Sequence, residues 1–163
     1  MVIYHGGTIT VEIPRIIKSE IGKDFGVGFY TTAIEEQAVR WARRKSLTGR
    51  RFSPETKAIL NIYEFDETAY DKLKTLHFPE ASIDWLDMII DCRSNTDFLH
   101  GYDIVTGKIA NDNVGETVQY VLNNVMRKED ALERLKFEKI NSQICFCTDK
   151  ALTFIEFVEA KVV

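Results

Sequence analysis

The chain has 163 residues, 45% of them hydrophobic and 28% charged, which is typical of a folded domain and excludes a disordered or fibrous chain. Its 25 acidic and 21 basic residues leave a net charge of −4, which excludes a general electrostatic attraction to nucleic acid or acidic membranes. No run approaches the roughly 20 apolar residues of a membrane span, and the N-terminus lacks a signal-peptide pattern. We therefore expect one domain over residues 1–163, cytoplasmic and without a membrane partner.

Short apolar segments alternate with amphipathic ones along the chain. Strand composition occurs at residues 2–4, 29–32, 58–65, 102–105, 143–147 and 154–162. Helices are predicted from residue 33 until Ser53-Pro54, after the capping residue Ser82, and over 117–125 and 129–136. The first helix is predicted to be amphipathic, with Ala38, Trp41, Ala42 and Lys45 at helical spacing and most of the charges on the other face. The elements interleave without a regular βαβ rhythm, so the sequence predicts an α+β fold.

Three motifs contain residues that are suited to chemistry. They are Tyr4-His5-Gly6-Gly7-Thr8, residues 24–32 (Asp-Phe-Gly-Val-Gly-Phe-Tyr-Thr-Thr), and residues 141–146 (Asn-Ser-Gln-Ile-Cys-Phe). Each alone has an ordinary explanation: a polar strand end, a turn, or an exposed glutamine. The pair Gly26 and Gly28 precedes a strand and lacks a third glycine, so it is not a dinucleotide fingerprint.

Taken together and in this order, the three motifs resemble the ADP-ribosyltransferase superfamily. More narrowly, they resemble the bacterial family catalogued as domain of unknown function 3990, a toxin-type branch. The resemblance covers nearly the whole chain. It implies two packed, mostly antiparallel sheets with flanking helices and a cleft for NAD, the co-substrate. It also implies mono-ADP-ribosyl transfer to a macromolecule, and a cognate antitoxin protein as partner.

The resemblance assigns roles to individual residues. His5 matches the histidine that hydrogen-bonds the ribose hydroxyls, Gly6 matches the residue whose backbone pairs with the nicotinamide carboxamide, and Tyr30 matches the tyrosine that stacks on nicotinamide. We also expect Gly28 and Thr31 to contact NAD. The predicted catalytic residues are His5, Tyr30 and Gln143.

Gln143 departs from the glutamate that many superfamily members carry before this strand. Glutamine can hold a ribose hydroxyl, but it brings no charge and cannot act as a general base. Asp103 or Asp112 could supply a carboxylate from a neighbouring loop, although both are equally explained as solvent-exposed loop residues.

Two other functions stay open beside transfer. One is a catalytically silent NAD- or nucleotide-binding module that acts by binding a partner, and the other is an NAD glycohydrolase. The acceptor is a protein side chain, a nucleic acid or a small molecule. A basic stretch could favour nucleic acid, although a charge run is usually a solvated helix face and this is the default interpretation; the stretch comprises Arg40, Arg43, Arg44, Lys45, Arg50 and Arg51. The three cysteines predict neither a disulfide framework nor a zinc pair, and we expect no metal.

Overall fold

A computed structural model describes residues 1–18, 22–110, 113–136 and 141–163. Seven strands lie within these ranges: β1 (Val2–Gly7), β2 (Phe29–Thr31), β3 (Ile59–Phe65), β4 (Thr75–His77), β5 (Ile104–Gly107), β6 (Gln143–Phe146) and β7 (Ile155–Val162). The described helices are α1 (Glu35–Gly49), α2 (Ala69–Lys72), α3 (Ile83–Ser94), α4 (Val114–Leu122), α5 (Lys128–Leu135) and α6 (Asp149–Leu152). None of these helices is long and apolar enough to cross a membrane.

The strands form two sheets. The first has the order β1-β3-β7 and is antiparallel throughout. The second has the order β2-β6-β5-β4, and its pairs are antiparallel except for β4 with β5. This confirms the predicted α+β class with two mostly antiparallel sheets.

The two larger apolar clusters hold most of the sheets and helices together. Aromatic rings from both sheets meet in one cluster, where Phe29, Tyr63, Phe65 and Phe146 pack edge to face. The second cluster joins β5 and β6 to the helices α3, α4 and α5, with Trp85 fully buried among them. Burying rings of this size is among the largest apolar contributions to a small core.

Most predicted elements are present, with shifted ends. β3 is the central strand of its sheet and is buried on both faces, and the Ser82 side chain caps α3 by accepting from the Trp85 amide. The prediction for the apolar face of α1 was wrong in part, because Trp41 is 50% exposed and Lys45 is exposed. The small residues Ala38, Ala42 and Ser46 are buried on this face instead.

Candidate functional site

The candidate site lies where β1 and β2 separate. Tyr4 and Thr32 exchange both of their backbone hydrogen bonds, at 2.8 and 2.9 Å. A regular antiparallel ladder would next pair Gly6 with Tyr30. Instead, the Tyr30 carbonyl accepts a hydrogen bond from Nδ1 of His5 at 2.7 Å. A side chain thus replaces a backbone donor, and the strands part at this point.

The same hydrogen bond fixes the chemistry of the His5 ring. A carbonyl oxygen can only accept, so Nδ1 must carry the proton. Burial lowers the pKa of His5 from 6.5 to about 4 against the opposing effect of the Tyr30 carbonyl, and the charges of Lys45 and Lys23 lower it further. The ring, which stacks on Phe29 at 4.7 Å between centroids, is therefore neutral at pH 7. Its Nε2 presents a lone pair and accepts hydrogen bonds.

The backbone of Gly6 faces the gap between the strands. Along β1 the direction of the backbone groups alternates, so the N–H and C=O of Gly6 point the same way as those of Tyr4. Past the Tyr4–Thr32 bridge, the structure records no partner for them among the described residues. On the face of the strand that α1 covers, a Cβ at Gly6 would lie 2.1 Å from the carbonyl oxygen of Ala38. Glycine is therefore required for α1 to pack directly on this strand.

Tyr30 joins the site to the loop that precedes β2. Its hydroxyl donates to the Gly26 carbonyl at 2.7 Å and accepts from the Phe25 amide at 3.1 Å. Burial, the largest cause, raises its pKa well above the usual value, so the phenol stays neutral. The ammonium of Lys23 lies 5.1 Å from the ring centroid. The ring is partly buried. The side chain is fixed at one end by its strand and at the other by the hydrogen bonds of its hydroxyl to the loop.

Gly28 and Thr31 have structural roles. A Cβ on Gly28 would lie 2.4 Å from Cys145 Sγ and 2.7 Å from the Phe146 carbonyl oxygen, so this glycine lets the loop pack against β6. The buried Thr31 hydroxyl donates to the Ile144 carbonyl at 3.2 Å. The prediction that these two residues contact NAD receives no support from these contacts.

Gln143 begins β6 and is buried. Its Nε2 donates to Asp24 Oδ2 and to the Lys108 carbonyl, both at 3.3 Å. Tyr30 pairs directly with Cys145, and Cys145 and Gln143 lie two residues apart on one strand. Tyr30 and Gln143 are therefore diagonal neighbours on the same face of the sheet, about 7–8 Å apart in such pairs.

Asp24 is the carboxylate of this site, and sequence reasoning missed its role. Its Oδ1 accepts from Arg93 Nε at 2.8 Å and from Arg93 Nη2 at 2.7 Å, while its Oδ2 accepts from the Ala110 amide at 3.2 Å as well as from Gln143. The residue begins the motif at residues 24–32, which is the one signal that the sequence offers. A loop aspartate is usually solvent-exposed, whereas this one is buried with its charge paired to arginine.

Of the two aspartates considered from sequence, the structure describes Asp103, which does not complete the site. Asp103 accepts from the Lys74 amide at 3.0 Å and from the Thr148 hydroxyl at 2.8 Å, so both of its oxygens are used where β5 and α6 meet. Asp112 lies outside the described residues. The described candidates that the fold brings together are His5, Gly6, Tyr30 and Gln143.

A pair of thiols lies beneath Tyr30. The sulfurs of Cys145 and Cys147 are 3.4 Å apart, and the three cysteines of the chain are all free. The hydrogen bond between the two thiols is the largest cause that lowers the pKa of Cys147 to about 6, and a contact with His100 contributes in the same direction. Among the described residues, no three His, Cys, Asp or Glu side chains are grouped as metal ligands.

The fold and the site together describe an α+β protein of two sheets, with a polar gap where their edge strands part. The family model described as "Protein of unknown function (DUF3990)" matches residues 1–157, and the chain belongs to this family. No curated protein and no solved structure matches the chain.

Proposed function

We propose that this protein is an NAD-dependent mono-ADP-ribosyltransferase of the ADP-ribosyltransferase superfamily, and that it is the toxin of a toxin–antitoxin pair. The supporting observation is the gap between β1 and β2. There His5, whose Nε2 can accept a hydrogen bond, contacts the Tyr30 carbonyl through Nδ1, and the Gly6 peptide groups have no partner among the described residues. The ring of Tyr30 is held by the loop that precedes β2. Nicotinamide riboside offers the complementary groups, which are a hydroxyl, a carboxamide and a flat ring.

Each contact uses a group that the fold leaves available. The carboxamide of nicotinamide has one donor and one acceptor face, as does the Gly6 peptide on its open edge. A ribose hydroxyl can donate to His5 Nε2. The Tyr30 ring offers a stacking surface that costs little side-chain entropy because the ring is already held. The Lys23 ammonium lies near this ring, so nicotinamide must displace it.

The charge near the site has the sign that a dinucleotide requires. Lys23 and Lys45 are close enough to His5 to lower its pKa. The pKa of Lys45 is itself lowered, mainly because protein atoms around its ammonium group partly desolvate it although the side chain is exposed, and also by the charge of Lys23. Two cations that repel each other are stabilised by an anion placed between them. The pyrophosphate of NAD supplies such an anion and attracts both ammonium groups.

The transfer step breaks the bond between ribose C1′ and the nicotinamide nitrogen, and nicotinamide leaves with the electron pair. An acceptor nucleophile forms the new bond to C1′ and releases its proton to solvent. The transition state is oxocarbenium-like, as in glycoside hydrolysis. Gln143 can position a hydroxyl through its carbonyl oxygen, because its amide is held by Asp24 and Lys108. Asp24 is paired with Arg93, so this site favours acceptors that are already nucleophilic.

Release of nicotinamide tests the proposal. The purified protein is incubated with nicotinamide-labelled NAD, with and without cell extract, and we expect release that depends on extract. The His5→Ala variant should lose at least tenfold of this rate, because it loses both the acceptor nitrogen Nε2 and the hydrogen bond of Nδ1 to the Tyr30 carbonyl. His77→Ala is the matched control, since His77 lies on β4 in the other part of the second sheet. Equal rates for both variants would refute the assigned role of His5.

A catalytically silent NAD-binding module is the second candidate function, and the hydrogen bonding of Asp24 favours it. Both carboxylate oxygens are engaged within the protein, so no free base faces the gap among the described residues considered above. Such a module binds NAD in calorimetry without releasing nicotinamide under any condition. Release without extract would instead identify an NAD glycohydrolase.

Growth of a bacterial host tests the toxin role separately. Induced expression of the wild type should slow growth, whereas the His5→Ala variant at the same protein level should not. A gene encoded beside this one should relieve the effect if it encodes the antitoxin. Equal growth with both proteins would refute the toxin assignment without affecting the enzymatic one.

A further inference from the structure

The outer face of α1 and the turn after it carry a concentration of positive charge. Five of the nine arginines of the chain and one lysine lie within residues 40–51, and no Asp or Glu occurs from residue 37 to residue 54. The whole chain has a net charge of −4. We call this surface the α1 basic face; it comprises Arg40, Arg43, Arg44, Lys45, Arg50 and Arg51, together with Trp41 and Phe52.

These cations are exposed, and within the part of the chain that the structure describes most of them form no ion pair with an acidic side chain. All six are exposed, and among the described residues no ion pair involves Arg40, Arg43, Lys45 or Arg51. Ordinary charged helix faces mix both signs, which lowers the repulsion between neighbours. The α1 basic face keeps its repulsion, and a bound polyanion would relieve it.

Two exposed aromatic rings accompany the charge. Trp41 is 50% and Phe52 is 88% exposed. Lys45 Nζ lies 5.7 Å and the Arg44 guanidinium 5.9 Å from the Trp41 ring. Cations that follow a phosphate backbone, interleaved with rings on which bases stack, are the means by which proteins hold single-stranded nucleic acid.

The α1 basic face adjoins the candidate site. An open groove of about 380 Å³ is lined by Trp41, Lys45 and Thr8, and Thr8 directly follows β1. Lys45 also acts electrostatically on His5. A strand lying along α1 would therefore bring one nucleotide to the edge of the gap between β1 and β2.

We infer that the α1 basic face binds single-stranded nucleic acid, and that a nucleobase is the acceptor of the ADP-ribose. The binding stands on the surface alone, whereas the acceptor role rests on the proposed function. A nitrogen of the base forms the bond to ribose C1′, nicotinamide leaves with the electron pair of its bond, and the base nitrogen releases its proton to water. A duplex hides the faces of its bases, so the exposed rings favour a single strand.

Fluorescence anisotropy tests the binding without NAD. The probes are fluorescein-labelled 15-nucleotide DNA and RNA of mixed sequence and the matching DNA duplex, titrated at several salt concentrations. We expect tighter binding of a single strand than of the duplex. In Arg40→Gln/Arg43→Gln the slope of log affinity against log salt should fall by about 2. Trp41→Ala should weaken binding about 5- to 150-fold.

Arg15→Gln/Lys150→Gln is the matched control, because it removes two exposed charges outside the α1 basic face. It should bind within twofold of the wild type. The inference is overturned if this control and Arg40→Gln/Arg43→Gln lose affinity equally, or if the duplex binds as tightly as a single strand. Polyglutamate that displaces the oligonucleotide at the same charge concentration would also overturn it, since an acidic protein would then fit equally well.

Labelled NAD tests the acceptor role. With oligonucleotide present, the label should become attached to material that nuclease removes and protease leaves. Oligonucleotide binding without any NAD turnover would refute the proposed function and the acceptor role but keep the binding surface. NAD turnover with label only on protein would keep the proposed function and overturn the acceptor inference.

Discussion

Gln143→Glu places a second carboxylate beside Asp24. In the wild type the Gln143 amide donates to Asp24 Oδ2 at 3.3 Å and to the Lys108 carbonyl at 3.3 Å. The substitution turns the first contact into a repulsion. Two charges at that distance cost about 5 kcal/mol at an effective dielectric constant of about 20. The pair can avoid this cost by binding a proton, which costs about 4 kcal/mol at pH 7 for a group with an ordinary glutamate pKa.

The less costly of these two outcomes, repulsion or protonation, determines how much free energy of unfolding the substitution removes. Arg93 on the other Asp24 oxygen offsets part of the repulsion, so we expect Gln143→Glu to lower the free energy of unfolding by about 2–4 kcal/mol at pH 7. The new group has a raised pKa in the folded state, so the folded state binds more protons than the unfolded one. Stability relative to the wild type therefore increases as the pH falls from 7 toward 4.5. Once protonated, the introduced carboxyl group donates to Asp24 as the amide did.

Urea unfolding followed by tryptophan fluorescence measures this at pH 7, 6 and 5. Gln119→Glu is the control, because it makes the same change at an exposed position whose amide contacts Asn123. It should shift stability by no more than about 0.5 kcal/mol, with little dependence on pH. If Gln143→Glu behaved like this control, the amide of Gln143 would not be the group that faces Asp24.

Three further predictions concern neighbouring groups. Because the pKa of His5 is lowered to about 4, its NMR signals should show a neutral ring at pH 5.5, and a charged ring at that pH would contradict this. The free energy of unfolding should fall as the pH drops from 6.5 toward 4, because only the unfolded state gains the proton in this range. Iodoacetamide at pH 7 should alkylate Cys147 well before Cys92. The pKa of Cys147 is about 6, whereas that of Cys92 is raised to about 12 mainly by burial. Peptide mass spectrometry measures the labelling of each thiol, and equal labelling would refute the difference in pKa. Gly6→Ala should lower the free energy of unfolding by about 3 kcal/mol, because the added Cβ would meet a backbone carbonyl of α1. Gly115→Ala is the control: its added Cβ would meet no atom within 4 Å, so it should not destabilise the protein.

Local patterns predict those elements whose stability is encoded within a short segment. The apolar run of β3 and the cap at Ser82 are both found as the sequence indicates. The strand β4 has three residues and pairs in parallel with β5 alone. A segment this short is too short for an alternation of apolar and polar residues to predict a strand. The prediction for the apolar face of α1 was wrong at Trp41. Helical periodicity does not show that Gly6 lets α1 pack so closely on β1 that no space is left for an indole side chain.

The candidate site divides in the same way. The resemblance selects His5, Tyr30 and Gln143, and the fold brings these residues into one region. The ion pair of Asp24 with Arg93 spans 69 residues of sequence, and the contact of Asp24 with Gln143 spans 119. No local pattern carries such contacts, so the burial of Asp24 and the orientation of the Gln143 amide emerge only from the packing of the loop onto α3 and β6.

The hydrogen bond from His5 to the Tyr30 carbonyl has a consequence for selectivity. A backbone amide in that place would join the two strands and do nothing else, but an imidazole that donates through one nitrogen leaves the other as an obligate acceptor. A molecule that presents a hydroxyl to Nε2 is accepted, whereas one that presents an ether or a carbonyl oxygen at the same point meets two lone pairs facing each other. Under the proposed function, we expect the site to distinguish a sugar with a free hydroxyl from its deoxy or alkylated counterpart before any loop or helix has moved.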